Sequence, residues 1–178
     1  EDYFDYSPEY EETLRKKGKN DIIDSLRSAA NRANIYFIRQ KEARGLGDAV
    51  LRAKSFIGSE PFYVLYGDDI IMSEKPVCLQ LAEAYDKYNL AVAGVKEVSA
   101  EQILKYSSLD AKPIPGESNF YHVTDMIEKP KPEEVITRLS ILGRVLLTPD
   151  IFDILSSTKP GAGGEIQLTD AMRDLARS

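Results

Sequence analysis

Short apolar runs of strand character alternate with stretches of helical periodicity along most of this chain, and that alternation limits the fold more than any other feature. "IYFIR" (35–39), "FYVLY" (62–66), "LAVAGVKEV" (90–98), "YHVTDMIEK" (121–129) and "SILGRVLLT" (140–148) read as strands, with "FYVLY" a buried one. Helices are expected from "GLGDAVLRAKSFIG" (45–58), from about Lys75 to Tyr88, and from "PDIFDILSS" and "QLTDAMRDLAR". The stretch before Asn119 reads as irregular. Strands separated by helices require crossover connections, so an α/β fold with a mainly parallel sheet covered on both faces is expected. In such sheets ligands bind beyond the C-terminal strand ends, where the aspartates of "YVLYGDDII" are expected.

Two further helices precede the first strand. Ser7-Pro8 reads as a cap with proline at the first helical position, and "PEYEETLRKK" then stops at Gly18. A second helix from about Asn20-Asp21 sets Ile22, Ile23, Leu26, Ala29, Ala30 and Ala33 on one face. No repeat, low-complexity tract or linker is evident, and residues 1–178 read as a single domain, with 1–34 as peripheral helices and 35–178 as the sheet region.

Composition excludes several functions. The 178 residues are 43% hydrophobic, ordinary for a globular protein, and no apolar stretch reaches the ~20 residues of a membrane span. The acidic, aromatic start "EDYFDY" is unlike a signal peptide, so a cytoplasmic location is expected. With 23 basic and 29 acidic side chains the net charge is -6, the wrong sign for holding a nucleic acid. The single cysteine, Cys78, cannot form an internal disulfide and reads as helix packing; the single histidine, His122, has no acid and serine partners for a triad and no companions for a zinc site. The ten tyrosines are scattered and read mostly as packing.

Four segments bring polar chemistry to loops or strand ends. "RQKEARGLGDAV" leads through a glycine loop into a helix start, where main-chain N–H groups favour acceptors; it matches neither the P-loop nor the dinucleotide pattern, and read alone it is first a structural turn. "GDDI" offers hard oxygen ligands for Mg2+ or, equally, a turn cap. In "MIEKPKPEE" the adjacent Glu128 and Lys129 point to opposite faces unless the strand end twists; locally they read as a solvated pair before a proline-rich turn. "KPGAGGEIQLTDA" reads locally as a loop with Glu165 near a helix start.

Taken in order, "QKEARGLGDAV", "LYGDDII", "MIEKPKPEE", "ILGRVLLTPDIFDIL" and "GAGGEIQLTDA" closely resemble the bacterial UTP–glucose-1-phosphate uridylyltransferases, members of the sugar-nucleotidyltransferase family. The resemblance implies a Rossmann-like three-layer nucleotidyltransferase fold with a mixed, mainly parallel sheet, present here incompletely. It implies formation of UDP-glucose and pyrophosphate from UTP and glucose 1-phosphate, with Mg2+ as cofactor and a homo-oligomer when full length. Carried over by motif, Gln40 and the backbone of Gly45 meet uracil, Asp68 holds Mg2+, Glu128 meets sugar hydroxyls and Lys129 the sugar phosphate, with Ser107 and Gly143 beside the sugar.

This chain departs from the family pattern. The family's first strand, GxGTR-type loop and following catalytic lysine are absent, as is a C-terminal segment with a second metal-binding aspartate and a lysine, so the chain reads as a fragment expected to be inactive alone. Asp48 stands in place of a histidine, and Tyr106-Ser107 in place of a Tyr-Gly pair. A thymidylyl- or adenylyl-transferring relative, or a non-catalytic sugar-nucleotide-binding relative, remain the alternative readings.

Overall fold

The computed structural model describes residues 6–178. The chain falls into two compact units, Glu1–Arg39 and Gln40–Ser178. The first contains helices α1 (Pro8–Lys16) and α2 (Asn20–Ala30). Proline opens α1, but Ser7 makes no side-chain cap; its carbonyl accepts the Glu11 N–H at 2.9 Å. Gly18 ends the helix at φ 70°, a left-handed turn that costs glycine little. Leu14 and Ile23 are buried, Leu26 and Ala30 half-buried and Ile22 exposed, while the expected inward face at Ala29 lies outside the described side chains. The half-exposed Arg27 donates to the buried Glu11 carboxylate through Nε at 2.9 Å and Nη2 at 2.6 Å.

Residues 35–39, expected as a strand, form no ladder, and Ile35 to Ile38 are exposed. β-branched and aromatic residues favour a strand only when another strand supplies hydrogen bonds and packing. The initial acidic segment of the sequence lies outside the described residues.

The second unit runs through α3 (Leu46–Arg52), α4 (Lys54–Ile57), β1 (Phe62–Leu65), α5 (Val77–Tyr88), β2 (Val92–Glu97), β3 (Ser107–Pro113), β4 (Tyr121–Glu128), β5 (Leu139–Leu147), α6 (Ile151–Ser157) and α7 (Leu168–Arg177). Helices and open sheets mix as expected. The ladder direction differs: every pairing among the described residues is antiparallel. β5 lies between β1 and β2 and opposes both, so β1 and β2 are mutually parallel through the α5 crossover without touching. The expected crossover is present, and a strand that comes much later in sequence fills the gap it spans.

β3 and β4 form a separate hairpin sheet, paired from Ser107↔Glu128 to Pro113↔Tyr121. β3 replaces the irregular stretch expected there, because the alternation in "SSLDAKP" is carried by Leu109 with only the small Ala111 after it, a weak strand signal. β1, expected to be buried, is buried on one face only, with Phe62 inward and Tyr63 and Leu65 exposed, and it is an edge strand among the described residues.

One core joins the layers. Phe62, Leu109, Met126, Val145 and Leu147 from the sheets pack with Val50, Phe152, Leu155, Leu168 and Met172 from α3, α6 and α7. Phe62 and Phe152 stack with ring centroids 5.0 Å apart. Between the sheets and the 135–138 connection sits a buried polar hub: Ser108 Oγ accepts from Ile136 N at 3.0 Å and Thr137 N at 3.1 Å and donates to Thr137 O at 2.8 Å. Ser108 is 0% exposed, so no water can replace it readily. Ser108→Ala strands two main-chain donors and should cost about 1–3 kcal/mol in urea unfolding. A change within about 0.5 kcal/mol, the range of a surface substitution, would mean that the connection is not held by this hydroxyl.

Candidate active site

The glycine loop is built against a second loop. Gly47 N donates to Ile166 O at 2.9 Å and Ile166 N to Arg44 O at 2.8 Å, stitching residues 44–47 to 165–166. Gly45, at φ 103°, leaves no room for a side chain: a Cβ would lie 2.7 Å from Ile166 O and 2.8 Å from Glu165 Cβ. The glycine is therefore required by the packing of two loops, whatever else its backbone meets. At the foot of the loop Gln40 Nε2 donates to Asp48 Oδ2 at 2.7 Å and to Gly45 O at 3.3 Å. Asp48 is buried, and Arg52, one helical turn on, donates to both of its oxygens, Nε reaching Oδ2 at 3.4 Å. The Arg52 hydrogen bond first, and Gln40 second, hold the Asp48 carboxyl below the usual carboxylate range against the opposing effect of burial.

The acids after β1 occupy a turn fixed by the middle strand. Tyr66 N donates to Gly143 O at 2.9 Å and Asp69 N to Tyr66 O at 3.3 Å. Arg144 reaches back to donate to Tyr66 O at 3.0 Å, Gly143 O at 2.7 Å and Asp69 O at 2.6 Å. Gly143, at φ 69°, has the Asp69 carboxylate in the space a side chain would take. Asp69 is thus half-buried against β5, whereas Asp68 is exposed at the turn.

Glu128 and Lys129 end β4 differently. Glu128 is half-buried, and Thr169 Oγ1 donates to its Oε2 at 2.8 Å from the start of α7. Lys129 leaves the extended region at φ 47°, its N–H donating to Tyr106 O at 2.8 Å. The strand alternation that would separate the two side chains therefore stops at Glu128. A left-handed non-glycine residue costs roughly 1–2 kcal/mol, and it is followed here by the buried Pro130. Ser107, opposite Glu128 in register, is buried; its Oγ lies 3.4 Å from Ser140 Oγ and accepts the Ile141 N–H at 3.3 Å. Its side chain is a packing element between β3 and β5.

These pieces meet. Residues 165–169 touch the glycine loop through Ile166 and Glu128 through Thr169. Burial, and then the negative charge of Glu128, Asp69 and Asp68, push the Tyr66 hydroxyl up to about 12. Asp68 and Asp69 fit a hard cation of the Mg2+ kind, which takes one or two carboxylates and completes its shell with water or phosphate oxygens. Among the described residues no group of three or more His, Cys, Asp or Glu is poised to hold a metal, so such an ion would take most of its ligands from elsewhere. Arg144, Tyr66 and Thr169 join the site without having stood out in the sequence. Arg144 had a signal, a charge inside the apolar run "ILGRVLL"; Thr169 and Tyr66 had none.

Two outcomes follow from this geometry. Lys129→Gly should be about 1 kcal/mol more stable than Lys129→Ala in denaturant unfolding, because only glycine accepts φ 47° without strain; equal stabilities would show that position 129 is unstrained. For Asp48, whose folded pKa lies below its ordinary 3.8, the stabilisation is full above 3.8 and lost as pH falls through the folded value. The stability advantage of the parent over Asp48→Asn should therefore shrink below pH 3.8 in denaturation series. An advantage unchanged at low pH would remove the ion pair as its source.

Comparison with known proteins gives the site its context. The chain is 47% identical over 177 residues to UTP–glucose-1-phosphate uridylyltransferase YngB of Bacillus subtilis, covering 99% of this chain and 59% of that protein. It is 46% identical over 178 residues to UTP–glucose-1-phosphate uridylyltransferase 2 of Staphylococcus saprophyticus, covering 100% and 61%. Among solved structures, a UDP-glucose pyrophosphorylase complexed with UDP-glucose superposes with a TM-score of 0.86 at 38% identity, over 99% of this chain and 64% of that one. The UTP-bound enzyme of Acinetobacter baumannii gives 0.79 at 30%, over 98% and 60%. The chain thus spans about three fifths of the length of the curated relatives it matches. The profile described as nucleotidyl transferase matches residues 5–178, nearly the whole chain, and the chain belongs to that family.

Proposed function

We propose that this chain is one partial domain of a UTP–glucose-1-phosphate uridylyltransferase that forms UDP-glucose and pyrophosphate. The observation that carries the reading is the stitching of the glycine loop to the 165–169 segment, whose Ile166 bonds the loop backbone and whose Thr169 holds Glu128. Relatives bearing that name at 46–47% identity support the same substrates.

In this reading Gln40 and the Gly45 backbone hold uracil, Glu128 accepts hydrogen bonds from glucose hydroxyls, and the Lys129 ammonium meets the sugar phosphate, with Gly143 and the main chain at Ser107 bordering the sugar. The sugar-phosphate oxygen attacks the α-phosphorus of UTP in line and pyrophosphate leaves, so the protein needs no nucleophile of its own. Asp68, with Asp69 beside it, would hold a Mg2+ ion, which supplies charge neutralisation at the phosphates when bound. The tasks of the chain's own residues are to fix the base, orient the hexose and place the attacking oxygen. A cytoplasmic location and self-association of the full-length protein belong to the same proposal; no helix among the described residues is long and apolar enough to cross a membrane.

The full-length protein, given UTP, glucose 1-phosphate and Mg2+, should release pyrophosphate with turnover. Asp68→Asn removes one charge at nearly constant shape and should lower kcat/KM by about 100-fold or more, whereas Glu128→Gln should act mainly by raising the KM for glucose 1-phosphate. Parent-like kinetics in both variants would sink the assignment of the site, and absence of turnover with any uridine substrate would sink the activity.

A further inference from the structure

The Gln40 amide is not free to choose which end it presents. Asp48, which faces it, is 2% exposed, and its carboxylate is engaged by the Arg52 guanidinium. An ionised carboxylate accepts hydrogen bonds and donates none, so the atom of Gln40 that lies 2.7 Å from Asp48 Oδ2 has to be the NH2 nitrogen. The same nitrogen also faces a second acceptor, Gly45 O, at 3.3 Å. Both neighbours therefore fix the same orientation. The carbonyl oxygen, Oε1, is left as the uncommitted polar atom of the side chain, with no donor reaching it among the described residues and without being buried.

We propose that Asp48 is a positioning residue that sets base preference: by claiming the Gln40 amide nitrogen it leaves an acceptor for the base, and so selects a pyrimidine with a proton on N3. Uracil carries that proton and donates it. Cytosine has a lone pair at N3, which would meet the Oε1 lone pairs. The inference rests on the reading of Gln40 as the residue that meets the base, and it deepens that reading by naming what orients it. Arg52 has a different part. It offsets the charge of a buried acid near an anionic nucleotide without touching Gln40.

Asp48→Asn separates orientation from shape. The carboxamide it introduces would accept from Arg52 through its carbonyl, leaving its NH2 toward Gln40; the Gln40 amide would then turn its carbonyl inward and its NH2 outward, a donor that suits cytosine N3. Kinetics of the full-length protein with UTP and CTP test this. The ratio of kcat/KM for UTP over CTP should fall about tenfold or more in Asp48→Asn, chiefly through KM, while Arg52→Gln, which keeps the carboxylate, should stay within about threefold of the parent ratio. An unchanged ratio in Asp48→Asn overturns the proposal, as does an equal fall in Arg52→Gln, which would mark general loosening of the loop. Gln40→Leu distinguishes the two levels. If it loses the preference while Asp48→Asn keeps it, only the role of Asp48 fails; if it keeps the preference, the base is read elsewhere and both fail. Should Asp48→Asn not fold, the parent labelled with 15N-glutamine decides: at saturating UTP the Gln40 Nε2 protons should remain slow to exchange, held inward by Asp48, and fast exchange overturns the proposal.

Discussion

Arg144 projects from the middle strand of the three-stranded sheet and donates to three main-chain carbonyls, those of Tyr66, Gly143 and Asp69. A guanidinium has a rigid fork of donors, so satisfying three carbonyls at once fixes the path of the chain between them. Those carbonyls belong to the turn that follows β1 and to the strand beneath it. The place of Asp68 and Asp69 is therefore set by backbone contacts to the sheet, and among the described residues no lysine or arginine forms an ion pair with their carboxylates. Gly143 completes the arrangement from the other side, because its missing side chain makes the room that the Asp69 carboxylate occupies.

Glycine has a similar architectural part in the first loop, where the family resemblance, and not the loop's own sequence, invites a ligand-centred explanation. Gly45 and Gly47 both face the 165–166 segment at distances that exclude a side chain, and the backbone bonds between the two loops run through Gly47, Ile166 and Arg44. Packing and binding explanations are not rivals here. A loop that must bring its main chain to a ligand needs a rigid support, and close backbone contact with a neighbouring loop supplies one.

The sequence disclosed elements whose signal is local and hid those that depend on partners. Proline before α6, glycine after α1 and the apolar runs of β2, β4 and β5 mark their own elements. β3 is different. "SSLDAKP" becomes a strand because β4 pairs with it and because Ser108 satisfies the 136–137 main chain, neither of which is visible in seven residues. Conversely, Ile35 to Ile38 have strand composition but no ladder. At the site, Asp68, Glu128, Lys129 and Gly45 are candidates only through the order of family-like motifs, because read alone each segment is at least as well explained as a turn, a cap or a solvated pair. Arg144 and Thr169 act on carbonyls and on another side chain, relations that only the fold creates.

Lys129 shows where local preference yields to tertiary contacts. It stands directly after a strand and before a proline, a setting that favours extended backbone, yet its φ is 47°. The hydrogen bond from its N–H to Tyr106 O, the burial of Pro130 and the pairing of Glu128 with Ser107 oppose that preference together. An extended Lys129 would continue the alternation and carry the ammonium to the face opposite Glu128. The left-handed residue breaks the alternation at the point where a carboxylate and an ammonium follow one another. Its strain is a fixed cost of the folded state, imposed by the hydrogen bond to Tyr106 and the packing of Pro130 around it.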